Sequence, residues 1–486
     1  MTTSQHGAQS AAVALTDVLQ QAPRLLEVLP QESRKALSSA SKTLHEMIQS
    51  LVTIITIEHL EDIALLIKGS WPHLSMLILP KQRRIPCPSI KVLRHRWQLL
   101  ACVSLGEDGN GFGNKDVALL LRSLQPPRCT TLDSTELAVK PLEHLLSSKW
   151  SGSQSLSLHE VEETMIGTAV MAQLSKGRWQ KLSHFALCGE QLDIASILLL
   201  FKGKWAQLQW LKLSDSVLDA IVWAQLNTDG WPRLTFLRLA YSAIPDAEAV
   251  WPLSLPKLAC LDISHTRISP AMVQQLSQAP SLKLITLFLH NAGLGAAAFL
   301  NFAQADWSCL TSLNLSENRS MCAAAVRHLV QAHFSNLRSL KLSDCGLDDL
   351  AIQWLIEGVW PILEELDLSI NHLDTRAVKY LAKGNWAALM HLRLDTNKYD
   401  SQATEELPKG NWHSLLSLTI DSTALNTANA GMLGIRPHQL LECQRVKGYM
   451  SIHCIEVLPA DSHAPLAVRS LWPDLQKIFV FALAGS

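Results

Sequence analysis

A period of about 26 residues runs through this chain and leaves few folds open to it. Its clearest copy reads Leu363-Glu-Glu-Leu366-Asp-Leu368-Ser-Ile-Asn371-His-Leu373-Asp-Thr-Arg-Ala-Val378-Lys-Tyr-Leu381-Ala-Lys-Gly384-Asn-Trp386. The first half alternates apolar and polar residues, the two-residue rhythm of a strand with one buried face. The second half places Ala377, Val378 and Leu381 at helical spacing. Gly384 then reads as a helix stop, because glycine enters the left-handed conformation cheaply. Trp386 opens the next unit. The middle apolar position of the strand falls at Leu77, Val103, Thr130, Leu156, Phe185, Leu211, Leu237, Leu261, Leu287, Leu313, Leu340, Leu366, Leu392 and Leu418. The steps lie between 24 and 29 residues, and most are 26. A strand-plus-helix module of this size cannot bury its own apolar side, so such modules fold by stacking on one another.

Each part of the unit has a task. The leucines face inward and meet those of the neighbouring units. The turn after the strand holds Asn318, Cys345, Asn371 and Asn397, side chains that can bind backbone groups of the turn, or Ser216, Ser242, Thr266 and Thr423, which make weaker versions of the same bond. Eleven of the fifteen tryptophans stand six residues before the middle position: Trp71, Trp97, Trp150, Trp179, Trp205, Trp231, Trp307, Trp360, Trp386, Trp412 and Trp472. A glycine often precedes them by two, as at Gly69, Gly177, Gly203, Gly358, Gly384 and Gly410. That fixed offset implies a packed layer between helix and strand rather than a ladder for stacking a ligand.

Strand, asparagine or cysteine turn, and helix at this period resemble the leucine-rich repeats, in the longer ribonuclease-inhibitor-like and cysteine-containing subclasses. The resemblance covers about four fifths of the chain. It implies an α/β leucine-rich-repeat solenoid of about 15 units, with a curved parallel sheet inside and helices outside. Ahead of it, residues 24–48 carry short amphipathic helices broken at Pro30, and this stretch resembles the F-box motif. Leu29, Pro30 and Glu32 match its Leu-Pro-x-Glu opening, and Ala40, Ser41 and Lys42 match its close, with Leu37 and Leu44 flanking. Only about ten residues separate the two matches, where that family has roughly twice as many. The resemblance implies docking of a Skp-type adaptor through Leu29, Pro30, Glu32, Leu37 and Leu44. The same residues also read as a small all-α cap that shields the first repeat. The expected organisation is a disordered tail at 1–23, the F-box-like or capping segment at 24–50, repeats at 51–423 and degenerate closing repeats at 424–486. Repeat text thins between Leu79 and Glu163, but one continuous solenoid is expected.

Composition narrows the function. The formal net charge is −1, so no long-range field favours nucleic acid or an anionic membrane. No run of 18 apolar residues suggests a membrane span, and no basic segment suggests a secretory signal. With ten cysteines and no C-x-x-C pair, buried free thiols in a reducing compartment are expected, cytoplasmic or nuclear. The glycine-rich run Gly106–Lys115 lacks the Gly-Lys-Ser/Thr ending of a phosphate loop, and Leu119 stands where a calcium loop needs its closing glutamate. Ser264-His265 has no acid placed by motif. No cofactor, metal site or catalytic set is expected.

Binding is what the architecture implies. The non-leucine positions of the strands face outward across many units, forming a broad concave surface. Large residues concentrate at Trp210 and Lys212, at Phe236, Arg238 and Tyr241, and at Phe288 and His290. Such residues dominate interface energetics once a partner buries them, so they form the candidate protein-contact patch. A mixed charge set follows at Lys341, Asp344, Glu365, Asp367, His391, Arg393 and Asp395, and reads as a solvated face. Two functions fit: a substrate receptor of a ubiquitin ligase, as the F-box resemblance implies, or a repeat scaffold without an adaptor. A regulator of a small GTPase or another enzyme is a third.

Overall fold

A computed structural model describes residues 153–159, 168–176, 179–203, 205–216, 218, 220–226, 231–243, 255–279 and 283–421, with the strand segments 54–56, 76–79, 102–105, 129–133, 451–456 and 477–482. The adaptor-docking candidates Leu29, Pro30, Glu32, Leu37 and Leu44, the glycine-rich run at 106–115, Trp71, Trp97, Trp150 and Trp472 lie outside the described residues, as do the expected boundaries at 23, 50 and 424. The chain divides into two compact units, Met1–Leu213 and Ser214–Ser486.

In the first unit the strands Ile54–Thr56, Met76–Leu79, Cys102–Leu105, Cys129–Asp133, Ser155–His159 and His184–Leu192 pair in parallel, in chain order. Leu77, Val103, Thr130, Leu156 and Phe185 are directly opposite one another, in the register expected from the period. The sheet therefore continues through the stretch where the repeat text thins. A slip of one residue would turn every inward side chain to water, so the apolar face fixes this register. The helices Thr168–Lys176 and Ile194–Phe201 pack side by side.

The second unit repeats the plan. Leu237, Leu261, Leu287, Leu313, Leu340, Leu366, Leu392, Leu418 and Ile478 stand in one row across parallel strands. The leucines of that row are at most 1% exposed. The strand Lys477–Ala482 pairs with Ser417–Asp421, and Ser451–Glu456 then adds antiparallel to it. Helices of seven residues, such as Ala323–Leu329, Asp349–Leu355 and Thr375–Leu381, are too short to persist alone and are held by packing. Several start on an aspartate: the Asp348 side chain accepts from the Ala351 N–H, and that of Asp374 from those of Arg376 and Ala377.

The tryptophan layer is buried, with Trp205, Trp231, Trp386 and Trp412 at 1–2% exposure. Phe334 and Leu255 fill the same slot in units that lack the ring, and both are buried. At Trp179, Trp205, Trp307, Trp360, Trp386 and Trp412 the indole also does polar work. Its Nε1–H donates to a carbonyl five residues earlier, at the end of the preceding helix: Trp205 to Leu200 at 2.8 Å, Trp360 to Leu355 at 2.9 Å and Trp386 to Leu381 at 2.7 Å. The same carbonyl also accepts from a backbone N–H three residues on, as Leu381 does from Gly384 at 3.1 Å, so the indole adds a second bond that ties the helix end to the next strand. This corrects the reading of the glycines. Among the described residues the glycines with positive φ are Gly293 and Gly346, and Gly384 is not one of them. Gly358 and Gly384 are glycine because the indole lies flat over them: a Cβ on Gly358 would sit 2.6 Å from the Trp360 ring.

A buried asparagine joins consecutive turns. Asn318 Oδ1 accepts from the N–H groups of Ala292 and Leu294, both at 3.0 Å, and its Nδ2 donates to the carbonyls of Leu289 and Leu315. Asn371 makes the same set one unit apart from its own repeat. At the equivalent position the Cys345 thiol donates to the Leu315 carbonyl at 3.2 Å, and burial pushes its pKa up to about 12, which keeps the S–H in place. The Ser216 and Thr266 hydroxyls donate to the carbonyls two residues back in their own turns, at 3.3 and 3.1 Å, and the Ser242 hydroxyl accepts from the Ser216 N–H of the preceding unit at 3.3 Å. The cysteines are less uniformly buried than expected: Cys345 is buried and Cys260 half-buried, but Cys309 and Cys322 are exposed free thiols.

One row was invisible in the residue types. Four positions after the middle leucine, the backbone is left-handed in seven consecutive units, at Tyr241, His265, Asn291, Glu317, Asp344, Ile370 and Thr396. In this conformation each of the first six donates its N–H to a carbonyl of the next unit, as Ile370 does to Asp395 at 2.9 Å. Asparagine tolerates the region; a β-branched residue is strained there by roughly 1–2 kcal/mol. Ile370, at φ 56° and 47% exposed, gains no burial in return. Ile370→Asn is expected to raise the urea midpoint, with a stabilisation of about 1 kcal/mol. An unchanged or lower midpoint would show that the strain is absent.

Candidate functional site

The candidate residues lie on the sheet's solvent face. In the first unit Trp210 and Lys212 lie on the strand Trp210–Ser216 and are half-buried. The Trp210 ring is 6.3 Å from that of His184 on the preceding strand, whose Nδ1 is 2.8 Å from the Ser183 hydroxyl.

In the second unit the register brings the other five together. Phe236 and Arg238 on the strand Phe236–Arg238 oppose Cys260 and Asp262, which in turn oppose Thr286 and Phe288. Phe236, Arg238, Phe288 and His290 are half-buried, and Tyr241 is 52% exposed. Three partners outside the expected contact patch build the site. Asp262, 4% exposed, ion-pairs with Arg238 at 3.1 Å and accepts from the Ser264 N–H and hydroxyl. The guanidinium is thereby neutralised where it stands. His265 stacks flat on Tyr241, with centroids 4.1 Å apart and planes 7° from parallel. His290 meets His265 edge-on at 4.7 Å, and Asn291 Nδ2 lies 2.9 Å from His265 Nδ1. All three were legible as polar residues near the strand end; their role depends on the left-handed turn that points His265 and Tyr241 along the same rim.

Ser264 and His265 do not form a nucleophile and its base. The hydroxyl is committed to Asp262 and the imidazole to Tyr241 and Asn291. Among the described residues no cluster of three or more His, Cys, Asp or Glu is placed to hold a metal ion, and no helix is long and apolar enough to cross a membrane.

The charged strands that follow pair among themselves. Lys341 Nζ lies 3.2 Å from Glu365, Arg393 lies 3.7 Å from Asp367 and 3.5 Å from Asp395, and Arg319 holds Asp344 at 2.7 Å. Burial alone would raise the Glu365 carboxyl, yet the Ser339 hydroxyl and the Lys341 ammonium bring it below the usual range. Burial dominates at Asp395 and holds its carboxyl above that range, despite Arg393. Half-exposed cross-strand pairs of this kind contribute little to stability and leave few free charges. The aromatic and imidazole stretch presents rings where these strands present ion pairs.

No protein-family model matches the chain, and no curated protein matches it. Similar solved structures include the Rad7–Elc1 complex of yeast, at 16% identity and TM-score 0.44, covering 86% of this chain and 90% of that one. They also include the internalin InlF of Listeria monocytogenes, at 19% identity and TM-score 0.42 over 72% and 92% of the two chains. Mouse RP105 with MD-1 matches at 17% identity and TM-score 0.42 over 73% and 68%. Parallel strands in leucine register, asparagine-linked turns and indole-capped helices are the architecture of an α/β leucine-rich-repeat fold.

Proposed function

We propose that the chain is a non-catalytic protein-binding module, and that its second unit takes a protein partner on the face formed by Phe236, Arg238, Tyr241, Phe288 and His290. The observation that carries this is a contrast along one sheet. Across three adjoining strands the face offers aromatic and imidazole rings with a pre-neutralised arginine, whereas the strands after it pair their own charges. Rigid aromatic anchors and an arginine held in place by a buried aspartate become binding hot spots once a partner covers them. In the first unit Trp210 and Lys212 offer the same chemistry and are candidates in their own right.

The finer role we infer from the sequence is that of substrate receptor for a ubiquitin ligase in the cytoplasm or nucleus, with Leu29, Pro30, Glu32, Leu37 and Leu44 docking a Skp-type adaptor. The support is the F-box-like text directly ahead of the repeats. Affinity capture by the intact chain tests both parts. The double variant Tyr241→Ala/Phe288→Ala is expected to lose the proteins that the native chain and a Lys341→Ala control retain. Leu29→Ala/Pro30→Ala is expected to lose a Skp-type adaptor. A folded Tyr241→Ala/Phe288→Ala variant that keeps every partner would overturn the contact face; native chain that ignores the adaptor would leave the scaffold or enzyme-regulator reading.

A further inference from the structure

Neighbouring repeats of the second unit are joined by paired strands, by packed helices and by buried polar links, and the polar links are uneven. Between the repeats of Leu287 and Leu313, Asn318 accepts from the Ala292 and Leu294 N–H groups, and Trp307 Nε1 donates to the Phe302 carbonyl at 2.8 Å. Between those of Leu340 and Leu366, Asn371 accepts from Cys345 and Leu347, and Trp360 closes the helix end.

The junction between the repeats of Leu261 and Leu287 has neither link. The position of Asn318 and Asn371 is Ala292 there, buried and without a polar side chain. Among the described residues no side chain accepts from the Thr266 N–H, and the Ile268 N–H takes the Ala292 carbonyl instead, at 3.1 Å. The indole position holds Ser281 in the sequence. The helix Pro270–Gln278 ends on Ala279, an extended residue whose N–H makes a long bond of 3.4 Å to the Leu276 carbonyl. The helices Ala296–Phe302, Ala323–Leu329, Asp349–Leu355 and Thr375–Leu381 end instead on a helical residue whose N–H reaches two carbonyls. What holds the junction is the strand bonds of Ile263 to Phe288 at 3.2 Å and of His265 to His290 at 2.8 Å, with the contact between Pro270–Gln278 and Ala296–Phe302. The side-chain bonds that cross it, Asn291 to His265 and Asn301 to the Pro270 carbonyl, are exposed, where water competes for both partners.

The contact face straddles this junction. Phe236, Arg238 and Tyr241 lie on one side with their supports Asp262 and His265, and Phe288 and His290 lie on the other. We propose that the junction is a seam at which the stack of repeats in the second unit parts first, and that a protein gripping both halves of the contact face holds it shut. This rests on the contact face proposed above and adds a conformational device to it. Repeats touch only their neighbours, so the stack opens where a junction is least linked while the rest stays folded. A partner that needs both halves together binds only the closed form and stabilises it by mass action.

The test is hydrogen exchange of the intact chain, first without a partner. The Ile263 and His265 amides donate across the seam, and the Leu289 and Asn291 amides make the same two bonds across the next junction, to Asn314 and Ser316. After correction for intrinsic rates, Ile263 and His265 are expected to exchange about ten-fold faster or more. Asn318→Ala removes the link one repeat on and is expected to speed Leu289 and Asn291 to a similar degree. Equal protection of the two pairs in the native chain would overturn the seam, as would an Asn318→Ala chain in which Leu289 and Asn291 are unchanged. A protein that the native chain captures and Tyr241→Ala/Phe288→Ala loses is then added. It is expected to slow Ile263 and His265 at least ten-fold at saturation, and unchanged exchange in that complex would overturn the closure. The partner-free comparison makes no use of the contact face, so failure of the seam is told apart from failure of the face, which shows in the capture itself.

Discussion

Trp386→Ala is expected to cost about 3–5 kcal/mol. The ring is 1% exposed between helix and sheet, and it also carries the hydrogen bond that closes the helix Thr375–Leu381. Full burial of an indole removes roughly 150–250 Å² from water, and at about 25 cal/mol per Å² that gives an upper bound near 4–6 kcal/mol. Two companion variants separate the components. Trp386→Phe keeps most of the apolar surface but removes the indole's hydrogen bond to the Leu381 carbonyl, which keeps the one from the Gly384 N–H, and at most half the loss is expected. Gly384→Ala is expected to be costly in the native chain, because its new methyl collides with the Trp386 ring, and nearly neutral in Trp386→Ala. Denaturation followed by circular dichroism gives all four values. Equal costs of Gly384→Ala in the two backgrounds would show that the glycine serves something other than the indole.

The contrast between glycine as helix stop and glycine as floor for an indole shows where sequence reading ends. Spacing located Gly384 and Trp386 two residues apart, and it located the row from Leu237 to Leu418 that the strands adopt. It could do so because leucine and tryptophan at a fixed period admit one inward face. What spacing could not show is which atoms meet: that the indole N–H finds a helix-end carbonyl, and that this contact, not backbone freedom, demands glycine. The left-handed row is a harder case. Tyr241, His265, Asn291, Glu317, Asp344, Ile370 and Thr396 share a conformation and no chemistry, since acceptors of the next unit impose it: carbonyls for the first six, the Asp421 carboxylate for Thr396. The contact face was half legible for the same reason. Register gathers Phe236, Arg238 and Phe288, which the period had aligned. Asp262 under Arg238, and His265 under Tyr241, follow from depth and turn geometry. The division between Leu213 and Ser214 falls inside a strand whose text reads as an ordinary repeat.

The asparagine turns allow a comparison that the chain itself has already begun. Asn371, 4% exposed, accepts through Oδ1 from the N–H groups of Cys345 and Leu347, each at 3.0 Å, and donates through Nδ2 to the carbonyls of Leu342, Leu368 and Ser369. Asn371→Ala strands two buried donors, and at about 1–3 kcal/mol for each the expected loss is roughly 4 kcal/mol. One unit earlier, Cys345 replaces the amide with a thiol that keeps the donation to the Leu315 carbonyl and to Ser343. Asn371→Cys restores a donor but still strands the Cys345 and Leu347 N–H groups, so it is expected to recover only about 1 kcal/mol of the Asn371→Ala loss. Asn371→Asp is expected to lose at least as much as alanine, because it aims a carboxylate at three carbonyl oxygens. Hydrogen exchange places the damage: the Cys345 and Leu347 amides, which belong to the preceding unit, should lose protection in Asn371→Ala before amides of the Glu365–Asp367 strand do. Damage confined to the mutated unit would mean that stacked leucines alone couple the repeats, and that the asparagine is a local turn former with no part in joining one module to the next.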